Sequence, residues 1–504
     1  MPNLETHAAG SDTRPNAASI KPFYSPKLCN EDLAPTKNQS WSWYNIFSFW
    51  MSDVHSIGGY VVAASFFTLG LASWQVLICL LVGICIVQLC ANLVAKPSQM
   101  AGVPYAVISR QAFGVFGANI PAVIRGLIAF AWYGIQTYLA ANALMLVLLK
   151  FYPSLVPLTH SQWLGLSTLG WICFGIMWLL QAMVFWHGMN AIKRFIDVAG
   201  PAVYVVMLAL AGWILYQTGL DNLSFTLSSK VLTPGQQTWE MITATALVVS
   251  YFSGPLLNFG DFSRYGKNMQ EIRRGNRWGL PFNFLLFSVV TVVIVSGTQS
   301  LFGQMITDPI ETVSRVGNSL AVAIGLLTMI TATIGINIVA NFVSPAFDFS
   351  NCAPQKISFR TGGMIAAVGS VLLTPWNLFQ SPELIHYTLD VLGAFIGPLF
   401  GILVADFYLV KRGQVHTDDL FNATPAGRYW YRNGFNPKAI AALLPAVAIG
   451  LVISFTPGLH AVANFSWFIG VILGGGAYRL IARREAATAA APAYLQAGMG
   501  EETR

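Results

Sequence analysis

Apolar runs of about 20 residues recur along the chain, separated by short polar links. A helix needs about that length to cross the hydrocarbon core of a bilayer. The runs lack the strict alternation of a membrane β-barrel, so helices are the way to satisfy their backbone groups in lipid. The pattern predicts an all-α polytopic membrane protein with about twelve spans, at roughly 42–68, 72–95, 116–148, 162–187, 197–218, 239–259, 279–303, 318–345, 361–377, 384–410, 437–455 and 462–481.

Polar residues and glycines inside two spans predict interrupted helices. Span 1 carries an acid, an imidazole and paired glycines between Trp50 and Tyr60, and span 6 carries hydroxyls, Gly and Pro between Ser250 and Pro255. Irregular backbone at that depth is tolerated only in a protein interior or beside a cavity. Interruptions five spans apart indicate a five-plus-five inverted repeat with a central binding site.

The predicted organisation follows from that repeat. Its parts are a polar N-terminal segment at 1–40, a first repeat at 41–220, a second repeat at 238–410, C-terminal helices 11 and 12 at 411–484, and a disordered tail at 485–504.

Composition and charge support the membrane assignment. Only 10% of residues are charged, against about 25% in soluble proteins. The net charge of +7 comes from Lys and Arg in the links, of which only Lys150, Lys230 and Arg315 fall in alternate, outward links. The positive-inside rule therefore predicts a cell (inner or plasma) membrane protein with both termini cytoplasmic, not a nucleic-acid-binding protein. The six cysteines show no CxxC pair and indicate neither disulfides nor a metal site.

Two polar pairs at helical spacing are candidates for ligand binding. Trp132 and Gln136 lie one turn apart on span 3, and Asn337 and Asn341 have the same spacing on span 8, the counterpart of span 3 in the repeat. An indole face and two carboxamides suit a small planar heterocycle with C=O and N–H edges. Packing and interhelical hydrogen bonds are the alternative. The predicted substrate-binding residues are Trp132, Gln136, Tyr251, Phe252, Asn337 and Asn341.

Ionisable residues within the membrane are costly unless they pair, bind a ligand or face water. Asp53 and His55 are candidates for a protonatable coupling site, with capping of the interrupted helix as the alternative. A solvated or ion-paired surface role is predicted for Asp261, Arg264 and Asp406, and Arg125 is expected to snorkel or pair near the inner face.

No sequence motif indicates an enzyme. A Walker A sequence, HExxH and GxSxG are all absent, which argues against ATP-driven transport, a zinc site and an acyl-transfer nucleophile. No cofactor and no metal are predicted.

Three motifs resemble the nucleobase:cation symporter family, which includes permeases for hydantoin, allantoin, cytosine, uracil and thiamine. They span Trp132 to Thr137, Asn337 to Phe347 and Gly397 to Val410, within a resemblance that runs from about Glu31 to Arg484. The resemblance implies a leucine-transporter-like fold with two extra C-terminal helices and alternating access. It also implies that the family's stacking Trp, its amide and its span-8 Asn match Trp132, Gln136 and Asn341, and that its second aromatic falls on Phe252.

The resemblance also bears on the coupling ion. Sodium-dependent members bind Na⁺ through carbonyls that match Ser52, His55 and Ala332 and through two consecutive hydroxyls, whose positions hold Gly335 and Ile336 here. Because those two residues offer no side-chain oxygen, the expected coupling is to H⁺ and not to Na⁺. The candidates for ion coupling are Asp53, His55, Ser52 and Ala332.

The function expected from these features is import of a small planar lactam across the bilayer. A uracil-type pyrimidine is the first choice and allantoin or hydantoin the next. Cytosine is less favoured because no acidic partner is assigned to its amidine edge. A membrane sensor or channel that binds the same ligand without coupled transport is the alternative.

Overall fold

The computed structural model describes residues 20–221, 223, 230–378 and 381–482. Within these ranges, nine helices are long and apolar enough to cross a membrane, and three shorter apolar helices accompany them. Together they correspond to the predicted spans, so the all-α polytopic prediction is confirmed. The first 19 residues of the predicted N-terminal segment and the predicted tail at 485–504 lie outside the described residues.

Helices follow one another along the chain with short connections. The first half contains α1 (Trp43–Val54), α2 (Ile57–Ser65), α3 (Ser73–Ala101), α4 (Tyr105–Ile108), α5 (Arg110–Phe113), α6 (Asn119–Phe151), β1 (Gln162–Trp163), β2 (Leu166–Ser167), α7 (Thr168–Trp186), α8 (Met189–Thr218) and α9 (Pro234–Leu257). The second half contains α10 (Gly260–Ser263), α11 (Met269–Arg277), α12 (Asn283–Phe302), α13 (Pro309–Ser314), α14 (Ser319–Ile338), α15 (Ser344–Cys352), α16 (Phe359–Leu372), α17 (Pro382–Val404), α18 (Pro437–Phe455), α19 (His460–Ala463) and α20 (Ser466–Ile481). Three π-helical turns, Trp278–Phe282, Val339–Val343 and Ala405–Val410, connect or extend these helices.

Span 1 is interrupted where the sequence predicts. Helix α1 ends at Val54 and α2 begins at Ile57. Ser56 caps α2, because its hydroxyl oxygen accepts a hydrogen bond from the Gly59 amide at 3.0 Å. The Ile57 amide donates outside its own helix, to Thr333 Oγ1 on α14 at 3.3 Å. A hydroxyl cap and paired glycines favour such a break because the cap satisfies a free amide and glycine has low helix propensity. The interruption therefore lies against α14, in the middle of the bundle.

The prediction for span 6 is wrong in its position. Helix α9 continues through Ser250 and Pro255 to Leu257, and the interruption falls at Asn258, before α10. The Ser253 hydroxyl donates a hydrogen bond to the Ser250 carbonyl at 2.6 Å. Pro255 removes a single backbone donor. Neighbouring helices in a membrane protein tolerate that one loss, so the helix does not unwind there.

Two predicted boundaries also differ. Residues 162–167 form a small antiparallel hairpin, in which Gln162 pairs with Ser167, instead of the first turns of span 4. Span 8 does not stop at Pro345 but continues to Cys352, because a π-helical turn precedes the proline and accommodates its missing N–H.

Residues 20–41, which we call the N-terminal strap, cross one end of the bundle. Arg264 donates to the carbonyls of Asp32 and Ala34 at 3.0 and 3.1 Å. Asn30 donates to Ser350 Oγ at 2.8 Å, and Lys21 pairs with Asp418 at 2.7 Å. These contacts join the ends of three separate parts of the bundle, so the strap covers the end at which α10 and α15 terminate.

Four charged residues are more buried than predicted. Asp261, Arg264 and Asp406 are each at most 3% exposed, and Arg125 is fully buried. The surface role expected for the first three is therefore wrong, as is snorkelling of Arg125. Packing from other helices, which periodicity within one span does not reveal, encloses them.

Candidate substrate-binding site

A small cavity lies where α1, α6, α9 and α14 meet. Five of the six predicted substrate-binding residues meet here, together with one predicted coupling residue. The lining residues are Asp53, Trp132, Gln136, Tyr251, Phe252, Pro255, Ile336, Ala340 and Asn341.

Aromatic rings from two helices form one wall of the cavity. Trp132 of α6 meets Tyr251 of α9 edge to face, with ring centroids 5.3 Å apart and planes at 89°. Tyr251 in turn meets Phe252 edge to face at 5.1 Å. Tyr251 therefore joins Trp132 and Phe252 through two nearly perpendicular contacts. The three rings give the cavity an aromatic wall against which a flat ligand could pack.

Gln136 joins the interruption of span 1 to this wall. Its Nε2 atom lies 3.5 Å from Ser56 Oγ, and Ser56 Oγ lies 3.1 Å from the Tyr251 hydroxyl. The amide rests directly on Gly58, where a Cβ atom would come within 3.0 Å of Nε2. Gln136 Oε1 is buried and has no hydrogen-bond partner among the described residues. The carboxamide is therefore held at one end and offers an acceptor.

Asp53 presents an isolated carboxyl group to the cavity. The residue belongs to the last turn of α1 and is 1% exposed. Neither carboxylate oxygen has a hydrogen-bond partner among the described residues. The alternative role foreseen for this side chain, capping of the interrupted helix, is therefore not the one seen. An ionised carboxylate buried without a partner is costly, which favours a proton or a ligand donor at this position.

Two prolines each lie four residues after a cavity residue. Pro255 follows Tyr251, and Pro345 follows Asn341. A proline at that spacing cannot supply the amide that the earlier residue's carbonyl would accept in a regular helix. This spacing is a sequence signal that could have marked Pro255 as a cavity residue before the structure was known.

Comparison with known proteins identifies the family to which this chain belongs. A family profile described as "Permease for cytosine/purines, uracil, thiamine, allantoin" matches residues 34–470. The chain belongs to this permease family. It is 32% identical to the allantoin permease of Bacillus subtilis (strain 168) over 453 residues, 89% of this chain and 92% of that protein. It is 31% identical to the purine-uracil permease NCS1 of Arabidopsis thaliana, over 92% of this chain and 79% of that protein.

A solved structure shows the same fold. Mhp1, a nucleobase-cation-symport-1 family transporter solved in a closed conformation with bromovinylhydantoin bound, superposes with a TM-score of 0.68 and 21% identity over 92% of this chain and 96% of its own. The leucine-transporter-like fold and the family resemblance expected from the sequence are therefore confirmed. The protein is a multi-pass membrane permease that works by alternating access.

Asn337 and Asn341 have different surroundings in the permease. Asn341 lines the cavity and donates Nδ2 to Asn337 Oδ1 at 3.0 Å. Asn337 lies behind it and donates to Gln181 Oε1 at 2.6 Å and to the Tyr133 carbonyl at 3.0 Å. Asn337 is therefore placed to orient Asn341, while Asn341 is placed to meet a ligand with its Oδ1 atom.

We expect substitution of Asn337 and substitution of Asn341 to have different effects. Asn337→Ala leaves several buried partners unpaired and should lower the free energy of unfolding by about 1–3 kcal/mol, whereas Asn341→Ala leaves only Asn337 Oδ1 unpaired among the described residues, so it should cost less stability and lower ligand affinity roughly tenfold. Thermal unfolding in detergent and equilibrium ligand binding measure the two effects. Equal loss of stability in both variants would contradict this division.

The other coupling candidates do not line the cavity. His55 packs against Tyr204 with ring centroids 3.9 Å apart, and its Nε2 atom lies 3.4 Å from Asn283 Oδ1. Ser52 and Ala332 are buried, and the Ser52 hydroxyl has no partner among the described residues.

Gly335 and Ile336, at which the family resemblance implies sodium-binding hydroxyls, face different surroundings. A Cβ atom at Gly335 would face Phe195 at 3.5 Å, and Ile336 lines the substrate cavity. Neither side chain offers an oxygen to an ion. Their roles, like those of the other predicted site residues, remain predictions.

Proposed function

We propose that this permease imports a small lactam together with a proton and independently of sodium, and that Asp53 carries the proton. The observation that supports this is the Asp53 carboxyl, which has no hydrogen-bond partner among the described residues and lies in the same cavity as Trp132, Gln136 and Asn341.

The chemistry of a lactam explains why a proton would accompany it. A lactam edge presents one C=O acceptor beside one N–H donor. A protonated carboxyl presents one O–H donor beside one acceptor, so the two edges pair through two hydrogen bonds. A carboxylate has acceptors only and repels the lactam oxygen. Binding of the substrate therefore favours the protonated form of Asp53, and the pair buries no net charge when the helices close around it.

Allantoin is the first substrate we propose, ahead of the uracil favoured by sequence reasoning alone. The B. subtilis relative is an allantoin permease. The ureido tail of allantoin adds N–H donors to the ring, and Gln136 Oε1 in the cavity is an acceptor with no partner among the described residues. Hydantoin, which shares the ring, and uracil follow.

Orientation and coupling form part of the same proposal. Both termini face the cytoplasm, as the positive-inside rule predicts. The substrate then enters from the opposite side, with Trp132 and Phe252 against its faces and the amides of Gln136 and Asn341 at its edges. The proposed cycle does not use sodium, because Gly335 and Ile336 have no side-chain oxygen at the two positions where the family resemblance implies hydroxyl ligands.

A competition panel in whole cells tests the proposal. Uptake of labelled allantoin is measured against unlabelled hydantoin, uracil, thymine, cytosine and hypoxanthine, with Na⁺ or choline and with or without a protonophore. We expect allantoin and hydantoin to compete best, no change on replacing Na⁺, and loss of accumulation with the protonophore. Uptake that survives the protonophore but stops in choline would contradict the proposal, and so would accumulation of none of these compounds.

A further inference from the structure

Three helices place a polar residue two turns below the substrate cavity, on the side of the N-terminal strap. Arg125 precedes Trp132 by seven residues on α6, Asp348 follows Asn341 by seven in the span of α14 and α15, and Asn258 follows Tyr251 by seven. Seven residues correspond to about two helical turns, which places each residue about 10 Å along its span from the cavity residue. We call Arg125, Asn258, Asp261 and Asp348 the inner cluster.

The inner cluster is buried and directly connected to the cavity wall. All four residues are at most 1% exposed. Arg125 Nη2 donates to the carbonyl of Ala340, a cavity residue, at 3.1 Å. The cluster therefore forms a polar floor beneath the substrate.

One amide bridges two carboxyl groups in this floor. Asn258 Nδ2 lies 3.2 Å from Asp261 Oδ2 on α10 and 3.4 Å from Asp348 Oδ2 on α15. The other oxygen of Asp261 accepts from the Tyr105 amide at 2.8 Å, whereas Asp348 Oδ1 has no partner among the described residues. Two carboxylates this close repel, and a single proton on one of them removes the repulsion.

Unpartnered groups from other elements surround the bridge. Within the described part of the chain, no partner is found for the Arg125 Nε and Nη1 atoms, Asn258 Oδ1 or the Tyr105 hydroxyl. The titratable and charged groups that interact with the two carboxyls are Arg125, Tyr105, Cys352, Arg264 and Tyr265. The Arg125 guanidinium disfavours a metal cation at this place, but it does not exclude a proton.

We propose that Asp261 and Asp348, bridged by Asn258, bind one exchangeable proton, and that its release on the cytoplasmic side allows α10 and α15 to separate. This inference rests on the proposed function only in taking the protein to be an inward carrier of a lactam. It assigns a second protonatable site, distinct from Asp53 and without contact with the substrate.

In the proposed cycle, the protonation state of the inner cluster controls whether the floor beneath the cavity is closed or open. While the cluster holds its proton, Asn258 and the neutral carboxyl keep the two elements together beneath the cavity. When the proton is lost, two like charges face each other across α10 and α15, and the floor opens. The departing proton goes to water on the side covered by the strap, and no other group is consumed.

Asp348→Asn tests the proposal because the amide imitates the protonated acid. In proteoliposomes, the rate of labelled allantoin transport is measured while internal and external pH are varied separately. We expect wild type to respond to internal pH, and Asp348→Asn to bind allantoin normally, to turn over about tenfold more slowly because opening limits the cycle, and to lose the internal response. Asp348→Glu should retain a response.

Asp308→Asn is the matched control, because Asp308 is not part of the inner cluster. It caps the N-terminus of α13, where Asn caps equally well. The variant should behave as wild type. Asp261→Asn provides a second test if Asp348→Asn does not fold. A wild-type internal response in both variants would overturn the inference, as would no internal response in wild type. An internal Na⁺ requirement abolished by Asp348→Asn would also overturn it, in favour of a cation. Because Asp53 also releases its proton inside, the comparison is repeated as allantoin exchange in the Asp53→Asn background, where an internal pH response that Asp348→Asn abolishes belongs to the inner cluster. Loss of the external response alone concerns Asp53 and the proposed function.

Discussion

Replacing Asp53 with Asn is expected to abolish accumulation of allantoin while leaving its binding within about threefold of wild type. The Asn carboxamide presents a donor and an acceptor to a lactam edge, as the protonated acid does. It cannot release a proton, so the inward proton gradient no longer drives transport. Uptake should stop at equal concentrations inside and outside, while exchange of labelled for unlabelled allantoin continues.

Asp53→Ala is the contrasting variant. It leaves a lactam edge without its partner, which should cost about 1–3 kcal/mol, or roughly 5-fold to 150-fold in Kd. Both exchange and accumulation should then fall at low substrate concentration. Protonophore-sensitive accumulation by Asp53→Asn would show that the proton is carried elsewhere.

Trp132→Ala should weaken allantoin binding by about 1–3 kcal/mol, equal to roughly 5-fold to 150-fold in Kd. The indole supplies the largest flat surface of the cavity, and its removal also lets water reach the ligand. Trp132→Phe should have an intermediate effect because a smaller ring remains. Equilibrium binding of labelled allantoin to the purified variants measures the loss.

Trp74→Ala is the matched control for the loss of an indole. Trp74 lies on α3, is 58% exposed and does not line the cavity. Its removal should leave Kd unchanged. Equal affinity in wild type and Trp132→Ala, in protein that remains folded, would mean that the substrate binds elsewhere.

Much of the cavity could be predicted because its residues carry local signals. The pairs Trp132/Gln136 and Asn337/Asn341 have helical spacing, and a serine before two glycines predicts a break in a membrane helix. These features depend on neighbours in the sequence. They were therefore visible without knowledge of which helices pack together.

The features that the sequence did not predict depend on contacts between segments that are distant along the chain. Periodicity places Asn337 and Asn341 on one face, but only the partner Gln181 on another helix shows that the first orients the second. The burial of Asp261 depends on contacts from other elements, such as α4, whose Tyr105 amide donates to the Asp261 carboxylate at 2.8 Å. Pro255 predicts an interruption of the helix, but packing against neighbouring helices compensates for one lost backbone hydrogen bond.

The pH dependence of allantoin binding to the purified wild-type protein tests the neutral Asp53–lactam pair most directly. If the complex forms with a protonated carboxyl, Kd should increase about tenfold per pH unit once the free carboxyl ionises, and Asp53→Asn should show a flat profile. The same Kd in wild type from about pH 5 to about pH 8, or an unchanged pH dependence in Asp53→Asn, would contradict it.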